Sequence, residues 1–448
     1  MARQSSGAKR ILVLTGGVVI AGVAMYASAG GAKQATPPPP AVPAMIIGQP
    51  LAPPSAEKPA TPISAPAAAV ATAQLNFDKV VLVGDHYEAP LADGRIAVLT
   101  LDPKLQKKAE ELLSEARAPR GAIVAMAPDG RILALAGRRT EEPKGGKDGK
   151  LDWHLATDVW APAASVFKLV TASALVAGGL DPDEKIAYHG GIRSVVESNL
   201  RDDKRDSNKE SLLYGVAHSN NAIVGKLAFQ HLEPAVLDQV AHDIGLGSTL
   251  KSFALPSMFA ELTLPHEKNV DFARAAAGFA GSRLSVLGGA LLAATFADDG
   301  KQPMPRIIDS IAGAKLDLVS AHRVLAENVA KAVARMMVGT CTFGSAARTF
   351  GKRTKVAVAG KTGTLATSSP FYMEHSWFVG YAPAEKPQII VSVLLGNPEN
   401  WHLRGHEAAR RMIDLALSDA PDHSDHSDHS DHDDSGEAPA KPRRKRHK

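Results

Sequence analysis

Residues 161–172 read APAASVFKLVTA, and their apolar spacing predicts one helix that is buried on nearly every side. Pro162 suits a first helical turn, where its missing N–H removes no hydrogen bond, and Gly178-Gly179 predict the end of the helix. Ser165 and Lys168 are three residues apart, so both side chains should lie on one face. A lysine in an apolar setting has its pKa lowered by desolvation, and the neutral amine can accept a proton from a nearby hydroxyl. The stretch therefore predicts a serine nucleophile beside its own base.

This spacing is weak evidence by itself, because Ser-x-x-Lys occurs four times in the chain. The other copies are Ser6/Lys9, Ser55/Lys58 and Ser248/Lys251. The first two lie in a charged terminus and a Pro/Ala-rich tract, where nothing buries the lysine. The third lies in a Gly/Ser/Thr-rich turn. Only the copy at Ser165 lies in an apolar helix, and other motifs must support it.

Composition limits the class of protein. With 448 residues, 45% hydrophobic and 22% charged, the chain can bury at least one full core. The net charge of +4 does not indicate nucleic-acid binding, since six Lys and Arg residues lie in the terminal run 441–448. Cys341 is the single cysteine, which excludes an internal disulfide and is best interpreted as a small buried hydrophobe.

The beginning of the chain indicates export. Residues 1–10 form a basic flank, and residues 11–31 contain no charged side chain. This pattern predicts either a cleaved signal peptide or a single membrane anchor. The small residues Ala27-Ser28-Ala29 resemble a cleavage site, whereas the length, close to the roughly 20 residues that span a bilayer, favours an anchor. In both cases the rest of the chain is expected outside the cytoplasmic membrane.

Two further segments are predicted not to fold. Residues 32–74 are rich in Pro and Ala, which keeps them extended as a linker. Residues 419–448 combine a His/Asp-rich repeat with a basic end and are predicted to be a disordered tail. The histidines at a spacing of three are His423, His426, His429 and His432. Such tracts can bind zinc or nickel, but a solvated tail is the preferred interpretation.

The intervening chain divides into a short N-terminal β segment at 75–102 and a larger domain at 103–418. Asp102-Pro103 predicts a helix start, and turns at 128–130 and 383–387 predict two hairpins. Residues 270–297 have helical spacing throughout. Roughly five strands among several apolar helices give an α+β arrangement.

Two more polar motifs lie at predicted element ends. Ser219 and Asn221 fall at a break between two predicted helices, where they can face a cleft, although such residues also serve simply as helix caps. A strand at 355–359 is expected to end in Gly360-Lys361-Thr362-Gly363-Thr364. Glycine allows close approach of a ligand to this backbone, and Lys361 offers a cation for a carboxylate.

In chain order, Ser165-x-x-Lys168, Ser219-x-Asn221 and Lys361-Thr362-Gly363 resemble the three motifs of the penicillin-binding protein and serine β-lactamase superfamily. The motifs begin 54 and 142 residues apart. Further segments that resemble the transpeptidase domain lie at 99–106, 121–137, 278–285 and 377–383. The resemblance implies an antiparallel sheet of about five strands packed with helices, together with an all-helical subdomain.

The resemblance also implies roles for these residues. Ser165 would be the acylated nucleophile and Lys168 its base, while Ser219 would relay a proton and Asn221 would hold the substrate amide. The substrate-binding residues would be Lys361, Thr362, Gly363 and Thr364. The resemblance implies that Lys361 and Thr362 would bind the terminal carboxylate of the substrate, and that the N–H groups of Ser165 and Thr364 would form the oxyanion hole.

The implied activity is that of a serine D,D-transpeptidase, which joins D-Ala-D-Ala stem peptides of peptidoglycan and is acylated by β-lactams. No metal, cofactor or nucleic acid is expected. The expected location is the bacterial cytoplasmic membrane, crossed once, with the catalytic domain in the periplasm or extracytoplasmic space. The chain shows no glycosyltransferase domain and no room for one before residue 75, which makes a separate glycosyltransferase a candidate partner.

Departures from the hydrolytic branches argue against fast β-lactam hydrolysis. Residues 233–238 do not fit the Glu-x-x-Leu-Asn motif of one class, and Ser219-Asn220-Asn221 differs from the Ser-x-Val motif of another. A D,D-carboxypeptidase or β-lactamase-like hydrolase, and a β-lactam-binding sensor or scaffold without turnover, stay open as alternatives.

Overall fold

The computed structural model describes residues 75–140, 142–190, 194–248, 259–316 and 319–418. The predicted basic flank (1–10), anchor or signal peptide (11–31), linker (32–74) and tail (419–448) lie outside these residues. Within the described ranges, no helix combines the length and hydropathy that crossing a bilayer requires.

Strands and helices alternate irregularly along the described chain. The strands are β1 (Val81–Val83), β2 (His86–Pro90), β3 (Ile96–Leu99), β4 (Arg120–Met126), β5 (Ile132–Arg139), β6 (Lys150–Leu151), β7 (Ala161–Pro162), β8 (Lys185–Tyr188), β9 (Asn208–Ser211), β10 (Ala260–Leu262), β11 (Ser282–Leu284), β12 (Lys301–Gln302), β13 (Ile308–Ile311), β14 (Ala314–Lys315), β15 (His322–Arg323), β16 (Ala359–Thr367), β17 (Met373–Ala382) and β18 (Ile389–Asn397). The α-helices are α1 (Pro103–Ala116), α2 (His154–Thr157), α3 (Lys168–Ala177), α4 (Leu212–Ala217), α5 (Asn221–His231), α6 (Pro234–Ile244), α7 (Val270–Ala276), α8 (Val286–Ala297), α9 (Glu327–Thr342) and α10 (Gly405–Ser418). Short 3₁₀ helices cover Phe77–Lys79, Ala164–Phe167 and Glu197–Asn199.

The main sheet of the described residues has six antiparallel strands in the order β16-β17-β18-β4-β5-β6. Its side chains alternate between two apolar layers, as the period of a strand requires. From β4, Val124 joins the layer that contains Leu291 of α8, whereas Ile123 joins the layer of Leu112 from α1 and Met412 from α10. The α+β prediction is confirmed. The strand that the predicted count lacks is β6, which is too short to show a periodic pattern.

The helices outside the sheet pack around α3. This helix contacts α5, α6 and α9, and every residue from Lys168 to Leu175 is buried. A second sheet, of order β1-β2-β3-β13-β14, contains the predicted N-terminal β segment. Asp102 caps α1 as predicted, since its carboxylate accepts the Leu105 N–H at 2.8 Å.

The predicted start of the central helix is wrong. Pro162 lies in β7, opposite Arg283 of β11, and the helical part begins with the 3₁₀ turn Ala164–Phe167. Proline fits this position because β7 is an edge strand, where no ladder needs its N–H. The carbonyl of Pro162 accepts a hydrogen bond from Trp377 Nε1 at 2.9 Å, which fixes it against the main sheet.

Two further predictions are corrected. Residues 270–297 form α7 and α8 rather than one helical unit, because Gly278 and Gly281 have φ of +89° and +75° and β11 follows them. The strand predicted at 355–359 instead covers Ala359–Thr367, so the motif at Lys361 lies inside β16 and not at its end.

Candidate active site

Ser165 and Lys168 meet at the junction between the 3₁₀ turn and α3. In a 3₁₀ helix the side chains at i and i+3 eclipse each other. Lys168 Nζ accordingly lies 2.7 Å from Ser165 Oγ. The predicted pairing of this hydroxyl and this amine is confirmed, in a tighter geometry than an α-helix provides.

Neutral oxygen atoms surround the Lys168 amine. Its side chain is fully buried, and Nζ lies 2.6 Å from Asn221 Oδ1 and 2.7 Å from the Ala277 carbonyl oxygen. Amide and carbonyl oxygens only accept hydrogen bonds. A neutral amine that donates to both of these atoms therefore directs its lone pair at the Ser165 hydroxyl.

Burial lowers the pKa of Lys168 well below its ordinary value, and the charge of Lys361 lowers it further. A carboxylate beside the amine would oppose this shift, but the described hydrogen-bond partners of Lys168 are a hydroxyl, an amide and a main-chain carbonyl. The site thus favours the unprotonated amine, which is the form that can accept a proton.

The end of α7 supplies an acceptor that sequence reasoning missed. The last carbonyls of a helix lack partners within the helix. Here the Ala276 carbonyl accepts from Thr171 Oγ1 at 2.7 Å, and the Ala277 carbonyl accepts from Lys168 Nζ. No sequence pattern indicates this contact, because every residue type carries the same main-chain carbonyl.

Gly278 holds the backbone next to the nucleophile. It has φ of +89°, and a Cβ there would lie 2.1 Å from the Ala164 carbonyl oxygen and 3.2 Å from Ser165 N. Ala164 itself has φ of +50°, which is uncommon for a residue with a side chain. Only glycine leaves room for this peptide, so Gly278 positions Ser165 without touching its hydroxyl.

The residues of the second motif have two roles: one caps a helix, and the others contact the lysines of the site. Asn220 caps α5 by accepting the Ile223 N–H at 3.2 Å. Ser219, in the turn before it, has φ of +58° and accepts a hydrogen bond from Lys361 Nζ at 3.0 Å. The capping alternative therefore applies to Asn220, whereas Ser219 and Asn221 each contact a lysine of the site.

Lys361 is the second buried lysine. Its Nζ also donates to the Thr362 carbonyl at 2.9 Å, and burial lowers its pKa to about 7. The next residue, Thr362, shares a hydrogen bond of 2.6 Å with Ser345 through their hydroxyl groups. Ser345 is a further site residue that sequence reasoning missed, since it belongs to no recognisable motif.

The open edge of β16 faces outward at Thr362 and Thr364. The Thr362 carbonyl accepts from the Lys361 side chain, so it points away from the neighbouring strand β17. Alternate residues of a strand direct their main-chain groups to the same side, which turns the Thr364 N–H outward as well. Gly363 lets the strand approach the helical turn of Ser165, because a Cβ there would lie 3.3 Å from Val166 Cγ2.

These residues form one connected site. A hydroxyl, an amine and an amide meet at Ser165, and a hydroxyl and a second amine meet at Ser219. An activated hydroxyl beside a buried cation and a free strand edge suits acyl transfer from a substrate that carries an anionic group. Within the described residues, no group of three or more His, Cys, Asp or Glu side chains could hold a metal ion.

Comparison with protein families identifies the chain. The family described as the penicillin binding protein transpeptidase domain matches residues 121–414. This match covers more than half of the chain and includes all three motifs. The chain therefore belongs to the penicillin-binding protein transpeptidase family.

Two curated relatives illustrate the similarity. The peptidoglycan D,D-transpeptidase PbpA of Mycobacterium tuberculosis is 25% identical over 332 residues, which is 66% of this chain and 66% of that protein. The probable peptidoglycan D,D-transpeptidase PenA of Neisseria gonorrhoeae is 27% identical over 326 residues, which is 68% of this chain and 53% of that protein. The chain thus spans about one half to two thirds of the length of these relatives.

Solved structures share the fold. Penicillin-binding protein A from M. tuberculosis, as an imipenem acyl-enzyme complex, has a TM-score of 0.59 and 22% identity, covering 72% of this chain and 80% of that one. The D,D-transpeptidase domain of a peptidoglycan glycosyltransferase from Eggerthella lenta has a TM-score of 0.60 and 23% identity, covering 79% and 91%. Because both identities are below 25%, these structures show that the fold is shared and nothing more.

The buried Lys361 should destabilise the protein in a pH-dependent way. Because its folded-state pKa of about 7 lies below the ordinary 10.5, the unfolded chain binds more protons between these values and stability rises with pH there. Lys361→Met removes the buried charge, so we expect its melting temperature to exceed that of wild type by about 2–5 °C at pH 6. The gain should shrink at pH 9, where the folded wild type already holds Lys361 neutral and only the cost of deprotonating it on folding remains.

Calorimetry at both pH values measures the effect. Lys107→Met, at an exposed position on α1, is the matched control and should change the melting temperature little at either pH. If Lys361→Met raises the melting temperature equally at pH 6 and pH 9, or lowers it at pH 6, then Lys361 is not a buried lysine with a lowered pKa.

Proposed function

We propose that this member of the penicillin-binding protein transpeptidase family is a serine D,D-transpeptidase that cross-links peptidoglycan through an acyl-enzyme on Ser165. The observation that carries the proposal is the 2.7 Å contact between Ser165 Oγ and the buried Lys168 amine. The curated relatives named as D,D-transpeptidases support the same activity.

Acylation begins with transfer of the Ser165 proton to Lys168. The serine oxygen attacks the carbonyl carbon of the penultimate D-alanine, and a new C–O bond forms to give a tetrahedral intermediate. The peptide C–N bond breaks when this intermediate collapses to the acyl-enzyme. The leaving nitrogen takes up the proton that Lys168 accepted from Ser165, and D-alanine departs. Ser219, whose hydroxyl lies within hydrogen-bond distance of Lys361 Nζ, passes that proton toward the leaving nitrogen.

Lys361 and Thr362 bind the terminal carboxylate of the substrate. An arriving carboxylate favours the charged form of a lysine, so substrate binding itself promotes protonation of Lys361. The Thr362 hydroxyl, held by Ser345, lies on the open strand edge beside it. The charged Lys361 therefore binds the anionic end of the substrate, and the neutral Lys168 acts as the base.

The oxyanion of the tetrahedral intermediate binds to main-chain N–H groups of Ser165 and Thr364. The first donor within the 3₁₀ turn is Val166, whose N–H bonds to the Ala163 carbonyl at 3.2 Å, so the Ser165 N–H precedes the internal bonds of the helix. The Thr364 N–H points outward from the edge of β16. Loss of one such donor typically raises the barrier by about 3–4 kcal/mol.

In the second half-reaction an amine of another stem peptide attacks the acyl carbonyl. A C–N bond forms, the ester C–O bond to Ser165 breaks, and the amine proton passes to the serine oxygen. β-Lactams would acylate the same serine, and the mycobacterial structure, an imipenem acyl-enzyme complex, shows that a β-lactam acylates that protein. Water competes with the amine, which keeps a D,D-carboxypeptidase or other hydrolase as the alternative outcome. Complete hydrogen bonding around Lys168 argues against a scaffold without turnover.

The sequence also supports a cellular arrangement for this activity. Residues 11–31 would anchor the chain in the bacterial cytoplasmic membrane, and the Pro/Ala-rich linker would hold the catalytic domain on its outer side. The substrate glycan strands would come from a separate glycosyltransferase. These proposals rest on composition and hydropathy patterning.

Fluorescent penicillin tests the proposed function. The full chain in detergent should form a covalent adduct that persists for many minutes, and Ser165→Ala should abolish it. Mass spectrometry should place the label on the peptide that contains residue 165. An adduct retained in Ser165→Ala would refute the nucleophile. Label that vanishes within seconds would favour the hydrolase.

Gly278→Ala should slow acylation by the same penicillin at least about tenfold, because its Cβ would displace the Ala164–Ser165 peptide. Gly179→Ala is a matched control: Gly179 also has positive φ, of +90°, but its Cβ would meet no atom within 4 Å. Both variants carry the backbone strain, and only the first should lose acylation rate. Equal second-order rate constants for the two variants would show that Gly278 does not position Ser165.

A further inference from the structure

Three rings form a row beside the second motif, and we refer to Tyr214, His218 and Phe343 as the aromatic rim. The ring centroids of Tyr214 and His218 are 4.1 Å apart, and those of His218 and Phe343 are 5.7 Å apart. Phe343 is 51% exposed although its ring contacts that of His218, so one face of this row of rings is open to solvent. The steps of the proposed mechanism described above do not use these rings.

The rim is joined to the site through two neighbouring residues. His218 directly precedes Ser219, and Phe343 is two residues before Ser345, which shares a hydrogen bond with Thr362. The rim therefore continues outward from the residues proposed to bind the carboxylate of the leaving D-alanine.

The loop that carries Phe343 packs against the second motif. Ser345 N donates to the Ala217 carbonyl at 3.0 Å, and a Cβ on Gly344 would lie 2.2 Å from that same oxygen. The loop that carries Phe343 thus lies directly against the turn before Ser219. The Phe343 ring packs over Gly339, where a Cβ would lie 2.9 Å from its Cζ. A preformed aromatic surface of this kind binds a ligand without first having to order itself.

The electrostatics of the rim suit a cation. Burial lowers the pKa of His218, so its ring is uncharged at neutral pH, and the acidic group that acts on it is Glu210. The faces of aromatic rings attract ammonium groups within about 6 Å. Uncharged ring faces with the Glu210 carboxylate nearby attract an alkyl ammonium more strongly than an anion.

We propose that the aromatic rim is the acceptor subsite, which binds the amine-bearing side chain of the second stem peptide. This inference rests on the proposed transpeptidase function. The acceptor nitrogen must approach the carbonyl carbon from which the D-alanine nitrogen has just departed, so it arrives on the leaving-group side of Ser165. The rim lies on that side. It offers apolar contact for an alkyl stem, and its ring faces attract the terminal ammonium, which gives one proton to the neutral Lys168 amine before the nitrogen attacks.

The partition of the acyl-enzyme between amine and water tests the proposal. The donor is a pentapeptide ending in D-Ala-D-Ala, and the acceptor probe is Nα-acetyl-lysinamide, which presents one primary amine on an alkyl stem. The measured quantity is the ratio of cross-linked to hydrolysed product as a function of acceptor concentration. Because both products come from one intermediate, this ratio does not depend on the rate of acylation.

Phe343→Ala should lower the ratio about three- to tenfold, whereas Phe343→Trp should retain it because the indole is also a good cation binder. Phe343→Leu keeps apolar contact without a ring and should lie between them, at least about twofold below wild type. Val236→Ala, at an exposed position on α6 away from the site, should match wild type.

Wild-type ratios in both Phe343→Ala and Phe343→Leu would overturn the acceptor subsite while leaving the transpeptidase proposal intact. If Phe343→Ala does not fold, a wild-type ratio in Phe343→Leu overturns the subsite by itself. Hydrolysis alone in the wild type, at every acceptor concentration, would overturn the transpeptidase function and the subsite together.

Discussion

The site depends on keeping one lysine away from both water and carboxylates. Lys168 is fully buried, and its amine is held among a hydroxyl, an amide oxygen and a helix-terminal carbonyl. Each of these groups solvates the neutral amine well enough, but none offers the negative charge that would stabilise the ammonium. The 3₁₀ turn, the start of α5 and the end of α7 each supply one of these three groups. A shift of any of these three elements would expose the Lys168 amine to water or favour its charged form.

A second lysine, Lys361, is buried in the same apolar region but is proposed to bind the substrate carboxylate rather than to act as a base. The described hydrogen-bond partners of Lys361 are the Ser219 hydroxyl and the Thr362 carbonyl, and neither is a carboxylate. Two amines in one apolar region repel each other when charged, so the region favours one proton rather than two. In the proposed reaction the substrate carboxylate resolves this conflict by pairing with Lys361. The buried Lys361 thus lowers the folding stability of the free enzyme, and pairing with the substrate carboxylate offsets this cost.

The sequence was sufficient wherever chemistry depends on residue type and spacing. The pairing of Ser165 with Lys168 followed from a three-residue interval in an apolar helix, and the helix start at Asp102 followed from its capping side chain. It was insufficient where chemistry depends on the backbone. The Ala277 carbonyl has no signature, and the need for Gly278 arises from a contact more than a hundred residues away in sequence. The strand that carries Lys361 was predicted to begin four residues too early and to end eight residues too early, because Gly360 and Gly363 are typical of a turn and their pairing with β17 has no local signal.

The most direct test of this account is the pH dependence of penicillin acylation in Asn221→Asp. A carboxylate in place of the amide would lie beside Lys168 Nζ, where the amide oxygen is now 2.6 Å away, and would raise the pKa of that lysine. We expect the acid limb of the rate profile to move to higher pH by at least about one unit. Asn220→Asp adds the same charge at the cap of α5, away from the amine, and should shift the limb far less. An acid limb in Asn221→Asp at the wild-type pH would contradict the assignment of neutral Lys168 as the base that activates Ser165.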